Sequence, residues 1–170
     1  HIVYQDNLQL GYTNRIGGSW KSVVQVENSS NAESIDFVIS DEDVPEIAYI
    51  YDGEADLTGA RANQNDATSF TLFDIDATAE ETTDVRSTSI GIDSSGNTCI
   101  SYVDSDGTIR LAKNADGTQW DNMGNWTFST NSNMGKEPSL AVDGTDVYVF
   151  YQDDQEDIVY DKYDSVAQTW

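Results

Sequence analysis

Ser139-Leu-Ala-Val-Asp143, a turn at Gly144-Thr145, Val147-Tyr-Val-Phe-Tyr-Gln-Asp153, an acidic turn, Ile158-Val-Tyr-Asp-Lys162 and a closing Trp170 make up the stretch that decides the fold. Fifty residues upstream the same order returns as Ser89-Ile-Gly-Ile-Asp93, Cys99-Ile-Ser-Tyr-Val-Asp104, Ile109-Arg-Leu-Ala-Lys113 and Trp120. It returns again as Ile35-Asp-Phe-Val-Ile-Ser40, Ile47-Ala-Tyr-Ile50, Leu57-Thr-Gly-Ala-Arg61 and Phe70. An incomplete first copy reads His1-Ile-Val-Tyr-Gln-Asp6, Leu8-Gln-Leu-Gly-Tyr12 and Trp20. One unit recurring at a fixed period is the mark of a repeat architecture, in which each unit buries its apolar face against its neighbour.

The unit is built of strands. Apolar residues alternate with a period of two in Phe37/Ile39, Ile90/Ile92, Ile109/Leu111, Leu140/Val142 and Ile158/Tyr160, and no sustained helical periodicity competes. Asp93-Ser-Ser-Gly96-Asn97, Asp104-Ser-Asp-Gly107 and Asp143-Gly-Thr-Asp146 supply turns, because Asp and Asn bond their own backbone and Gly accepts positive φ. A further strand follows each of the first three closing aromatics, at Ser22–Val26, Thr71–Ile75 and Trp126–Ser129. Four short antiparallel strands per repeat predict an all-β fold, a β-propeller, in preference to a two-sheet sandwich. With strands A to D numbered from the axis outwards, the chain reads B-C-D, A-B-C-D, A-B-C-D and A-B-C. That gives about three and a half blades in a single propeller region, with blade pieces at about 1–28, 34–77, 88–131 and 138–170. Rings need roughly four to eight blades. The expectation is therefore a stretch of a larger ring, completed by further blades or by other copies of the chain.

The 170 residues hold 31 Asp+Glu against 8 Lys+Arg, a formal net charge of −23. Such a surface repels nucleic acid and anionic lipid, so neither is an expected partner. It suits a salt-rich medium, where screening removes most of the self-repulsion, and points to a halophilic or marine source and an extracellular or cell-surface location. No apolar run is long enough for a membrane-spanning helix, so membrane insertion is not expected. Cys99 is the one cysteine and lies in an apolar strand, where a small buried side chain is the simple reading.

The turn Asn114-Ala-Asp-Gly-Thr-Gln-Trp120 resembles a degenerate Asp box, the S-x-D-x-G-x-x-W turn of the sialidase-like propellers. Asn14-Arg-Ile-Gly-Gly-Ser-Trp20 keeps the glycines and the Trp. The Ser–Leu–Ala–Val–Asp start followed by a Tyr–x–Asp strand also resembles propeller repeats of large bacterial and archaeal surface proteins. Sialidase activity, if carried over, would imply three arginines gripping a carboxylate, a Tyr–Glu nucleophile pair and an acid. Arg61 and Arg110 fall on C strands and Arg15 in a C–D turn, which leaves Arg86 as the arginine placed for the axial mouth.

Acid gathers in every B–C turn: Asp52, Glu54 and Asp56; Asp104 and Asp106; Asp153, Asp154, Glu156 and Asp157. Strand alternation puts these turns on one face, which with Arg86 is the expected binding surface for a glycan or protein ligand. Asp104-Ser-Asp106-Gly107 resembles the front half of a calcium loop, although no Glu closes it. Ca²⁺ is thus the one cofactor the chain would suit, and otherwise none is expected. Asn28 and Asn125 begin N-x-S/T triplets and are candidate glycosylation sites. The single His1 is terminal, which removes His-based catalysis, so no catalytic residue is assigned. These features favour a non-catalytic surface module for binding, adhesion or assembly. The alternatives are a fragment of a sialidase-like glycoside hydrolase and a structural subunit of a fibre or shell.

Overall fold

A computed structural model of the chain describes residues 1–6, 9–28, 32–51, 56–63, 67–76, 87–104, 107–114 and 126–170, with backbone alone for 56, 74, 76, 126–129, 132 and 133. Every regular element among them is a β-strand. The first sheet orders β1 (Ile2–Gln5), β2 (Leu10–Thr13) and β5 (Val24–Glu27), all antiparallel. The second orders β6 (Ala32–Ile39), β7 (Pro45–Tyr51), β8 (Asp56–Ala62) and β9 (Phe70–Asp76). The third orders β10 (Thr88–Ile92), β11 (Thr98–Val103), β12 (Thr108–Asn114) and β13 (Trp126–Met134). The fourth orders β14 (Lys136–Asp143), β15 (Asp146–Gln152) and β16 (Ile158–Tyr163). These are the blades B-C-D, A-B-C-D, A-B-C-D and A-B-C of a partial β-propeller.

The C–D connection of the first blade is itself a small hairpin, β3 (Arg15–Ile16) with β4 (Ser19–Trp20). Gly17 and Gly18 turn it at φ of 60° and 86°, the backbone a two-residue primed turn requires. One expectation changes here. Trp20 does not close the first blade into the core; it stands on this hairpin with 54% of its surface exposed. Phe70 and Trp170 do pack inward, Phe70 edge-on to Tyr12 and Trp170 edge-on to Tyr163. Trp120, the remaining member of the spaced set, lies outside the described residues.

The core is divided among three blade junctions. Leu10, Tyr12 and Val26 meet Ile47, Tyr49 and Ala60 between the first and second blades. Ala48, Leu57 and Ile75 meet Ile90, Ile100 and Tyr102 between the second and third. Cys99, Ile109 and Leu111 meet Val147, Val149 and Tyr151 between the third and fourth. Strand alternation explains this division. On β7, Ile47 and Tyr49 face back to the first blade while Ala48 faces forward to the third, so a B strand is apolar on both sides. Tyr49, Tyr102 and Tyr151 each point at the preceding blade, which assigns the repeated tyrosines to packing.

Candidate binding cleft between blades

The innermost strands are joined by a repeating bond. Register places Asp36 and Ser89 at equivalent positions, opposite Ala48 and Ser101, one residue before the apolar pairs Phe37–Ile47 and Ile90–Ile100. Asp36 Oδ2 accepts from Ser89 Oγ and from the Ile90 amide, each at 3.0 Å. Ser89 Oγ in turn accepts from the Leu140 amide at 3.1 Å. The hub thus fixes successive blades at a set spacing. At the end of the blades that carries the A–B and C–D turns, this spacing leaves a cleft of 230 Å³ between the second and third blades. Ser40, Asp41 and Glu42 of the β6–β7 turn, with Glu46 and Arg61, line one side; Ile92, Ser95 and Gly96 line the other.

Glu46 is the chemical centre of the cleft. Only 2% of it is exposed, although it opens an otherwise apolar strand. Its Oε1 lies 3.1 Å from Arg61 Nε on the adjacent β8, and its Oε2 accepts from Thr98 Oγ1 of the third blade at 2.6 Å. Burial raises the Glu46 carboxyl above its ordinary pKa, against the opposing pull of Thr98 and Arg61. The cleft therefore presents the Arg61 guanidinium, held in place by the buried Glu46 carboxylate, beside the exposed Ser95–Gly96 turn.

The same position recurs in the next two blades. Arg61, Lys113 and Lys162 are cross-strand partners of Glu46, Cys99 and Tyr148, which begin the B strands. Each cation meets an acid: Arg61 with Glu46, Lys113 with Asp93 at 2.7 Å, and Lys162 with Asp146 at 2.6 Å. Around Lys113 the junction is closed, because its Nζ also donates to Ser165 Oγ of the fourth blade at 2.8 Å. Burial pulls the Asp93 carboxyl upward, but hydrogen bonds from Lys113 and Asn97 bring it below its ordinary value. Lys162 lies on the outer side of the fourth blade, 5.8 Å from the centroid of the Tyr148 ring. Of the three cation positions, that of Arg61 forms a cleft between two blades.

The sequence-predicted acids among the described residues, Asp104, Asp153, Asp154 and Asp157, lie at the opposite end of the blades. Asp104 is buried and ion-paired with Arg110. Asp153 caps its own turn, its Oδ1 accepting from the Gln155 and Asp157 amides at 2.9 and 3.0 Å. Asp153 and Asp154 line a shallow cleft of 290 Å³ with Tyr151 and Asp161, while Asp157 is exposed. Asp161 Oδ2 there accepts from the Tyr151 hydroxyl at 2.5 Å and the Asn131 amide group at 2.6 Å. Asp52, Glu54, Asp106, Arg86 and Asn125 fall outside the described residues, as does the side chain of Asp56. Asn28 is exposed at the end of β5. Among the described residues no group of three or more His, Cys, Asp or Glu side chains is arranged to hold a metal ion.

The sequence does not mark Glu46 as a site residue, and it sets Arg61 aside as a C-strand residue away from the axial mouth. A signal existed: a cation ends the C strand in three copies, and an acid replaces the Cys99 and Tyr148 of the other copies inside an apolar run.

Stacked three- and four-stranded sheets joined at a hub define the chain as a partial β-propeller, one that resembles the sialidase-like and lectin propellers. Known structures similar to it include the Aleuria aurantia lectin, as its N224Q mutant in complex with α-methyl-L-fucoside, at 13% identity and a TM-score of 0.62 over 96% of this chain. A Hadza microbial sialidase, Hz136, matches at 11% identity and a TM-score of 0.61 over 99% of the chain. A GH43 β-1,3-galactosidase matches at 10% identity and a TM-score of 0.51 over 89%. The chain spans 52% of the lectin's length, 40% of the sialidase's and 39% of the galactosidase's. At these identities the likeness is one of fold. No family model and no curated protein matches the sequence.

Proposed function

We propose that the chain is a non-catalytic, extracellular glycan-binding propeller module whose ligand sits in the cleft between the second and third blades. The observation that carries this reading is the Glu46–Arg61 pair, lodged where two blades meet. The buried Glu46 carboxylate fixes the plane of the Arg61 guanidinium, which can then meet neighbouring sugar hydroxyls without rearranging, so recognition costs little conformational entropy. The cleft is smaller than the roughly 300–1,000 Å³ of drug-sized pockets, which fits a single sugar residue at the end of a chain. Asp41 and Glu42 at its mouth, together with the net charge of −23, disfavour sialic and uronic acids. Arg61 is already neutralised by Glu46, so the ligand is a neutral sugar.

A glycan array followed by calorimetry with the best neutral monosaccharide tests the reading. Binding is expected in the wild type, with a loss of roughly tenfold or more in Glu46→Gln, because the charge that fixes Arg61 is removed. Absence of binding to any neutral glycan, or equal affinity in Glu46→Gln, would overturn it. Hydrolysis of fluorogenic glycosides would favour the glycosidase alternative.

A further inference from the structure

The two outer faces of the blade stack carry the same kinds of side chain that meet at the internal blade junctions. On the fourth blade, Phe150, Ile158 and Tyr160 are exposed by 40%, 74% and 59%, with the Phe150 and Tyr160 rings 5.5 Å apart. Cross-strand register makes them the counterparts of Ser101, Ile109 and Leu111, which are buried on the side of the third blade that receives the fourth. Blade after blade, this is the face on which the next blade stacks. At the other end Ile2 is 42% exposed and Tyr4 lies with its ring over Gly11, on the side of β1 opposite to the inward-packed Val3. Tyr4 holds the place of Tyr49, Tyr102 and Tyr151, the side chains that pack onto a preceding blade. Tyr49 reaches across its junction to donate to Glu27. The interface established three times inside the molecule is thus presented once more, donor half at one end and acceptor half at the other.

We propose that a second copy of the chain docks head to tail, the fourth blade of one copy stacking on the first blade of the next. Two copies bring eight blade sheets together, within the range of propeller rings. The contact is apolar apart from the Lys162–Asp146 pair on the same face, while each copy carries a net charge of −23, so salt strengthens it by screening repulsion.

Sedimentation velocity of the full chain over a concentration series, at low and high salt, tests this. The wild type is expected to associate, more tightly at high salt. Ile158→Asp and Ile2→Asp, both at exposed sites, are each expected to raise the dissociation constant roughly tenfold or more. Circular dichroism melts check that both variants fold; Tyr160→Asp on the fourth blade and Tyr4→Ser on the first serve if either does not. A mixture of the two variants is expected to regain a dimer, since one retains a working first blade and the other a working fourth. A monomeric wild type overturns the proposal. So does association abolished by Ile158→Asp but untouched by Ile2→Asp, which would denote contact between two fourth blades.

Discussion

Asp36 and Ser89 hold the same place in successive blades and are bonded to each other, Ser89 Oγ donating to Asp36 Oδ2 at 3.0 Å. Asp36 also accepts from the Ile90 amide, and Ser89 passes the pattern on by accepting from that of Leu140. Removing Asp36 therefore orphans two donors across a blade junction. Asp36→Ala is expected to cost about 2–3 kcal/mol in urea unfolding and Ser89→Ala about 1 kcal/mol. Ser139→Ala, at the equivalent but exposed position of the fourth blade, should stay within about 0.5 kcal/mol.

The two buried carboxyls respond to pH with opposite signs. Glu46 is raised by burial, so the folded state binds its proton more tightly than the unfolded chain. Its contribution is most favourable below the ordinary Glu value of 4.5 and declines as pH rises towards the folded value. Glu46→Gln should flatten that decline. Asp93 is lowered, so its contribution is full above the ordinary Asp value of 3.8 and is lost as pH falls through the folded value. Asp93→Asn should lower stability at neutral pH and lessen the sensitivity to acid. Melting temperatures of both variants between pH 3 and 8 check the two signs.

Gly135 is required by close approach. A Cβ there would lie 2.4 Å from Tyr151 Cδ2 and 3.1 Å from Ile109 Cδ1, inside the junction of the third and fourth blades. Tyr151 cannot withdraw easily, since its hydroxyl is bonded to Asp161. Gly135→Ala is expected to destabilise by about 1–3 kcal/mol through overpacking, measured by the urea midpoint at unchanged slope.

Cys99 is fully buried, and burial pushes its thiol up to about 12, with Lys113 opposing and Asp93 reinforcing the shift. A thiol protonated at neutral pH is a poor nucleophile. Native protein at pH 8 should fail to react with a disulfide reagent such as DTNB, and unfolded protein should react fully with one equivalent. Rapid reaction of the native chain would contradict the packing at this junction.

Most of the fold was legible in the sequence because a propeller repeats its physics. Each B strand must be apolar on both sides and each turn must reverse sharply, so Ile47–Tyr49, Cys99–Tyr102 and Val147–Tyr151 carry the same pattern, with Asp- and Gly-bearing turns such as Asp93–Asn97 between strands. Trp20 misled because its spacing matched a core position while the Gly17–Gly18 turn before it folded the loop into a hairpin. The candidate site was hidden for a different reason. Glu46 matters through its contacts with Arg61 and Thr98, the latter 52 residues away, and neither neighbour follows from local pattern. The many acids of the B–C turns drew attention by abundance, yet Asp153 satisfies its own turn and Asp104 its neighbour Arg110.

Amide chemical shifts recorded during titration with the neutral monosaccharide chosen from the array test the central claim most directly. Perturbations are expected to cluster on Ser40–Glu42, Arg61 and Ser94–Gly96, on both sides of the blade junction, and to vanish in Glu46→Gln. Shifts confined to the Asp153–Asp157 turn, or none at saturating sugar, would contradict it.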